Sequence, residues 1–451
     1  MRKMIIVAAL LVVSTLIPYS SSWPLERETH EEINRDAILF KYGIDLDNYL
    51  KNTLNIKEGI DTIYFDRYVY DWIALGGKDE DDDPTYRRSL NHFHDPIRSW
   101  DTAGLKDSHI GLIFFQKSES SILWGQESSQ DLITGNYSWR NAREYYYNAL
   151  IADSEDKRNS NLADTFYAVG HVMHLVEDSS VPAHVRNDIH MFGYNYEKWV
   201  EMQRKLNTAG FVSTYLSSPY YFDPAILNGT PNSLAPIPIA KIIDTDIYTG
   251  DNPVVTSSSS IGLSEYANAN FFSEGSAMDY KYPALDDVKV CLEEVQEPNY
   301  LDDQTTNYRR YYQKVSGGEA IDHLAAISYL YKPFGKYELQ DFYDKIIYLD
   351  ENCYMDYAHM LLPRATGYAA GLLGYFFRGD IDAVDAKTVT TDGKISGITM
   401  KVKNNTPNEP MSNGKLVVSY RFKNTRDTAY TYGKSDDVPL ASNISPRNDT
   451  I

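Results

Sequence analysis

Between Gly170 and His184 the chain reads Gly-His-Val-Met-His-Leu-Val-Glu-Asp-Ser-Ser-Val-Pro-Ala-His, and any fold of this protein has to be built around those polar groups. An apolar helical stretch carries His174 and Asp178 four residues apart, so both side chains leave one helix face and can reach a single cation. Pro182 takes the chain out of the helix soon afterwards, and His184 then arrives from a loop. A His and an Asp at this spacing also suit a surface pair or a satisfied core contact. The other histidines separate these readings.

Asn91-His92-Phe93-His94-Asp95-Pro96 sets two histidines around an aromatic ahead of an Asp-Pro turn. Asp188-Ile189-His190 precedes Tyr196-Glu197-Lys198-Trp199, and Thr29-His30 lies close to the N-terminus. Seven of the ten histidines thus fall in four short, carboxylate-rich clusters, a grouping that random placement would rarely produce, and the metal reading is favoured. Cys291 and Cys353 are the only cysteines, so such a site rests on His and carboxylate. The net charge of −20 argues against a broad basic surface for nucleic acid, and no stable nucleic-acid complex is expected. Bound cations would reverse the sign of the field locally. His94 and His171 read as packing or supporting residues, and His109, His323 and His359 as ordinary ones.

Residues 1–22 read as a secretory signal: Arg2 and Lys3 open it, Ile5 to Ile17 form an apolar run, and Ser20-Ser21-Ser22 make a small-residue cleavage site. The run is short for a bilayer crossing, so the mature protein is expected to start at Trp23 and to be secreted, periplasmic or held at the cell surface. In an oxidising compartment one Cys291–Cys353 disulfide is expected. From 23 to about 380 the pattern is helical. Thr29 reads as an N-cap with Glu32 reaching back, placing His30 in a first turn. Further helices are predicted over 142–153, 161–177, 196–206, 318–331 and 360–377, and 217–260 reads as a long irregular excursion. From 383 to 451, short alternating strands between Asn, Pro and Gly turns indicate a β-rich module. The expected fold class is mainly α: a multi-helix bundle with a small C-terminal β-sandwich-like module.

These motifs together resemble the zinc-dependent phospholipases C and their relatives, the single-strand-specific zinc nucleases. Members of that family begin, after signal removal, with a Trp whose amino nitrogen and carbonyl oxygen bind zinc, as Trp23 would. They carry a His-Phe-aromatic-Asp-Pro segment, to which His92-Phe93-His94-Asp95-Pro96 is similar. Their His, three residues, Asp, five residues, His signature is matched by His174, Asp178 and His184, and their last helix is similar to the one containing Arg364-Ala365-Thr366-Gly367-Tyr368. The resemblance covers roughly 23–378 and leaves out the β-rich module.

The resemblance implies three zinc ions. His92, His174 and Asp178, touched by Asp81, would hold one; Trp23 and His30 would hold a second, reached by Asp178 as a bridge; His184 and Glu197 would hold the remaining one. Asp81, in the acidic run 79–83, is the implied base or water-positioning group, and Glu80 is the alternative one residue earlier. Where the phospholipases place a His four residues before the Glu, this chain has Gly193, and His190 is the nearest substitute.

Three zinc ions offset only in part by Asp81, Asp178 and Glu197 leave a cationic site suited to an anionic phosphodiester. The leading expectation is therefore a phospholipase C type phosphodiesterase acting on phospholipid head groups, with peripheral membrane contact open. The short interval from Trp23 to His30 is nearer the nuclease spacing and supports a nuclease or nucleotidase as the alternative. A non-catalytic, zinc-stabilised binding protein is the reading from another class, because structural zinc sites are closed to water where catalytic ones keep an open position.

Overall fold

Residues 27–39, 45–82, 88–105, 118–130, 134–189, 194–223, 227, 238–245, 260–276, 279–294, 308–327, 347–406, 409–411, 414–423, 425–426, 428–440 and 444–445 are described by a computed structural model. The helices, in chain order, are α1 (Arg27–Leu39), α2 (Leu46–Asn52), α3 (Val69–Asp79), α4 (Ser121–Trp124), α5 (Trp139–Leu150), α6 (Glu155–Asp178), α7 (Pro182–Val185), α8 (Tyr196–Leu206), α9 (Thr208–Phe211), α10 (Leu263–Asn270) and α11 (Glu351–Phe376). Among the described residues 45% are helical and 19% are in strands, so the fold is mixed α/β rather than mainly α.

The histidine-rich segment lies on the central helix. Ser154 caps α6 by accepting from Lys157 N, and Glu155 and Asp156 fill the first turn, where the helix dipole favours negative charge. From Leu162 onward α6 is buried nearly all round, as a helix with neighbours on every side must be. The crossing with α3 is especially close. A Cβ on Gly76 would collide with Tyr167 O, and one on Gly170 with Ile73 O. Only glycines allow the two backbones to meet there. Helix α1 packs on α3 and α6 through Ile33, Ala37 and Ile38 in the main core, to which Tyr357, Leu361, Ala365 and Tyr368 of α11 belong.

Four departures from the sequence reading concern this helical part. Thr29 is not an N-cap: α1 already includes Arg27, and Thr29 Oγ1 is buried without a hydrogen-bond partner. Helix α11 starts at Glu351 rather than 360, because Asp350 caps it by accepting from Asn352 N and Cys353 N. It runs on through Pro363, whose carbonyl accepts from Tyr220 N at 2.8 Å. The segment predicted as helix over 318–331 contains a strand, β5, over Ile321–Ile327. It belongs to a four-stranded antiparallel sheet in the order β3 (Val288–Glu294), β4 (Tyr308–Lys314), β5, β6 (Ile347–Tyr348), separate from the short hairpin of β1 (Ile63–Tyr64) and β2 (Arg67–Tyr68). Ile321, Leu324, Ala325 and Ile327 mimic a helical spacing because β5 is an inner strand buried along most of its length. Finally, the expected Cys291–Cys353 disulfide is not formed: both are free thiols, packed in one small cluster with Tyr311 and Ala326.

Beyond α11, β7 (Ile381–Thr391) and β8 (Lys394–Asn404) form an antiparallel ribbon. The strands β9 (Lys415–Leu416), β10 (Ser419–Phe422), β11 (Thr431–Lys434) and β12 (Val438–Pro439) make two further two-stranded pairs, β10 with β11 and β9 with β12. Among the described residues the expected β-rich module thus pairs its strands only two by two. Arg378 ties the module to α11 by donating to both Glu409 oxygens, at 2.6 and 2.8 Å. Among the described residues no helix is long and apolar enough to cross a membrane.

Candidate metal centre

Asp178 is the last residue of α6, where the chain must turn. Four residues later Pro182, at the first position of α7, starts a single helical turn that delivers His184. The i, i+4 relation on α6 brings His174 Nε2 to 3.0 Å from Asp178 Oδ2. Three other elements close on the same carboxylate. His30 of α1 places Nε2 3.3 Å from Asp178 Oδ1. His92, at the end of the short 3₁₀ turn Ser89–Asn91, places Nδ1 2.9 Å from Asp178 Oδ2. His184 Nδ1 lies 3.5 Å from that same oxygen.

Asp81 enters from just beyond the end of α3. Its oxygens lie 3.4 Å from His92 Nδ1 and 3.7 Å from His174 Nε2. On the far side of His184, Nε2 faces Glu197 Oε1 of α8 at 3.3 Å. Two sets of donors, His30 with Asp81 and His174, and His92 with His174 and Asp178, each have all ligand atoms within 4.8 Å of one another. Both oxygens of Asp81 and both of Asp178 are buried yet make no hydrogen bond of good geometry among the described residues. Carboxylates are stable in that state only if something else positive completes them. The cluster has the residue types and convergence to hold a metal ion.

A second layer orients the imidazoles. His30 Nδ1 donates to Glu177 Oε2 at 2.5 Å, and His174 Nδ1 donates to Gly77 O at 2.7 Å. In both rings the network assigns the hydrogen to Nδ1 and turns the bare Nε2 inward, as ligating histidines require. The α3–α6 crossing glycines are what bring the Gly77 carbonyl within reach. His92 is backed by Glu80, whose Oε1 lies 3.6 Å from Nε2. Glu80 is itself fully engaged, accepting from Arg88 Nε at 2.9 Å, Trp124 Nε1 at 3.0 Å and His171 Nδ1.

Electrostatics follow from this crowding. Burial opposes the charge on His30, but the facing Asp178 and Glu177 carboxylates outweigh it and push the imidazole up to about 10. Burial likewise opposes charge on His92, and Asp178 and Glu80 lift it to about 10. Burial would raise the Asp178 carboxyl, yet the facing His174 and His184 hold it well below the usual carboxylate range. Burial lifts the Asp81 carboxyl above its ordinary value. The imidazoles therefore gather protons where a cation would otherwise supply the charge, and cation and protons compete for the same atoms.

Seven of the residues singled out from sequence meet here: His30, Asp81, His92, His174, Asp178, His184 and Glu197. Trp23, His190 and Gly193 lie outside the described residues. Between the two adjacent acids the geometry discriminates: Glu80 spends its oxygens on Arg88, Trp124 and His171, whereas Asp81 faces the histidines. Glu177 was not singled out, although its position three residues after His174 and beside Asp178 placed it on the same helix stripe. Gly77 contributes only its carbonyl, which no side-chain pattern signals. No protein-family model, curated protein or solved structure matches this chain.

Proposed function

We propose that this chain is an exported zinc-dependent phosphodiesterase of phospholipase C type, cleaving the head-group ester of a phospholipid. The observation that carries this reading is Asp178: its two oxygens are approached by His30, His92, His174 and His184 from four separate segments within 3.5 Å. One carboxylate surrounded in this way suits bridging between neighbouring cations, not a single closed site. Imidazole and carboxylate donors without thiolate favour zinc among the common ions. Three ions would be held by His92, His174, Asp178 and Asp81; by His30 and Asp178 with the amine and carbonyl of Trp23; and by His184 and Glu197 with His190.

Bound zinc would supply positive charge to the phosphoryl oxygens and lower the pKa of an attacking water toward ~7. The remaining work falls to the chain. Asp81 accepts the water proton on a carboxylate oxygen that no donor among the described residues occupies. The oxygen of water forms the new bond to phosphorus as the bond to the leaving alcohol breaks, and the proton held by Asp81 is available to that alcohol. Glu177 and the Gly77 carbonyl keep His30 and His174 in the tautomer that faces the site. Export and removal of residues 1–22 would free the Trp23 amine, so activity is expected only after cleavage.

The test pairs zinc analysis with two substrates offered to one zinc-loaded sample, phosphatidylcholine vesicles and single-stranded DNA. Hydrolysis of the lipid with release of the phosphorylated head group supports the proposal. Cleavage of DNA alone moves the assignment to a nuclease, and a loaded sample inert toward both leaves only a structural role for the metal.

A further inference from the structure

Ser120, His94 and Asp244 stand in a row inside the protein, none more than 2% exposed. Ser120 Oγ lies 2.7 Å from His94 Nδ1, and His94 Nε2 lies 2.9 Å from Asp244 Oδ2. One arrangement of hydrogens satisfies every atom: Nε2–H donates to the carboxylate, and Nδ1 accepts from the serine hydroxyl. Trp100 Nε1 donates to the same Asp244 oxygen at 2.6 Å. The order of groups has the form of a nucleophilic triad. Their burial denies any substrate access to Ser120, so the row acts through what it holds.

What it holds is the short segment 92–94. The His94 backbone N–H donates to His184 O at 3.0 Å, and Ser121 N–H donates to Phe93 O at 3.0 Å. The ring of Phe93 stacks on that of His184, with centroids 4.6 Å apart and planes 10° from parallel. His92, two residues before His94, places its own Nδ1 against Asp178. The segment therefore grips two histidines at once, His92 through the chain and His184 through a hydrogen bond and a stacked ring. His92 faces Asp178 and Asp81, whereas His184 turns Nδ1 toward the shared Asp178 and Nε2 toward Glu197.

We infer that Asp244, His94 and Ser120 are positioning residues that set His92 against His184, and with them the spacing of the two cation positions these histidines serve. The inference rests on the proposed metal-dependent function in one respect, that cations bind at this cluster. It also gives a task to the described segment 238–245, which brings the Asp244 carboxylate to His94.

The mature full-length protein is prepared as wild type, His94→Phe, Ser120→Ala and Asp244→Asn, and each is titrated with Co2+ against a competing chelator while the visible spectrum is recorded. Thermal melting checks the fold, and phosphodiester hydrolysis is measured alongside. His94→Phe fills the same space but drops both hydrogen bonds. It is expected to weaken Co2+ retention about tenfold or more, to shift the Co2+ absorption bands, and to lower kcat with little change in KM. Asp244→Asn keeps an acceptor oxygen and is expected to lie much nearer wild type. A folded His94→Phe protein with the wild-type spectrum and competition curve overturns the inference. If that variant does not fold, Ser120→Ala decides, because it removes only the donor to Nδ1: weakened Co2+ retention supports the inference and an unchanged titration overturns it. Wild-type protein that binds Co2+ but cleaves no phosphodiester would defeat the proposed function while leaving the Co2+ comparison fully readable, and wild type that binds no Co2+ would defeat both.

Discussion

The carbonyl of Gly77 and the Nδ1 of His174 are 2.7 Å apart, so the backbone of one helix fixes the tautomer of a ligand carried by another. This contact exists because Gly76 and Gly170 let α3 and α6 touch. Gly170→Ala is expected to force the helices apart, costing about 1–3 kcal/mol of stability, and to weaken metal retention as His174 loses its acceptor. Urea denaturation and a chelator competition on the same variant check both effects. A stable variant with undiminished retention would show that the close crossing does not govern the ligand.

Glu177 is expected to matter although it faces away from the cation. Glu177→Ala removes the acceptor for His30 Nδ1–H, and loss of such an outer partner lowers metal affinity about 10–100-fold. The measurement is zinc retention in a chelator series. Since His30 is assigned to the same position as Trp23, one ion per chain should be lost first.

The neighbouring acids Glu80 and Asp81 should fail in opposite ways. Asp81→Asn leaves the fold intact and is expected to reduce hydrolysis about 10²–10⁴-fold, as removal of a general base does. Glu80→Ala instead takes the carboxylate away from buried Arg88, and breaking a buried pair costs about 3–5 kcal/mol. Comparing melting temperatures with rates separates the two, and a stable but inactive Glu80→Ala would reverse the assignment.

The metal-free protein should lose stability as the pH rises. His30 and His92 reach about 10 in the fold against about 6.5 unfolded. Between those values the native state binds more protons than the unfolded one, so stability falls with rising pH. The stabilisation is complete below about 6.5 and is lost through about 10. Melting curves in the presence of a chelator should therefore drop steadily from pH 7 to pH 10. Zinc-loaded protein should not follow, because the cation has displaced those protons. Loading near pH 8 should release about two protons per chain from these histidines, measurable by calorimetry in buffers of different ionisation enthalpy.

What could be read from the residues alone was whatever depends on local spacing. His174 and Asp178 share a helix face because an α-helix repeats every 3.6 residues, and Tyr196–Leu206 has the bounds its pattern implied. The clustering of histidines beside carboxylates likewise marked His30, His92, His174, Asp178, His184 and Glu197, which meet at one place, and the family resemblance added Asp81. Local pattern misled where burial removed the contrast between faces, as at Ile321–Ile327, whose inner-strand apolar residues imitate a helix. It was silent where partners lie far apart in the chain. That Glu80 serves Arg88 while Asp81 serves the histidines depends on how the end of α3 is rotated against α6. That His94 pairs with Asp244, 150 residues away, depends on packing the segment 238–245 behind the site. Periodicity acts over a turn or two of chain, so it could nominate the ligands. Their roles, and the outer groups that orient them, were decided by the close packing of helices against one another, which only the tertiary structure contains.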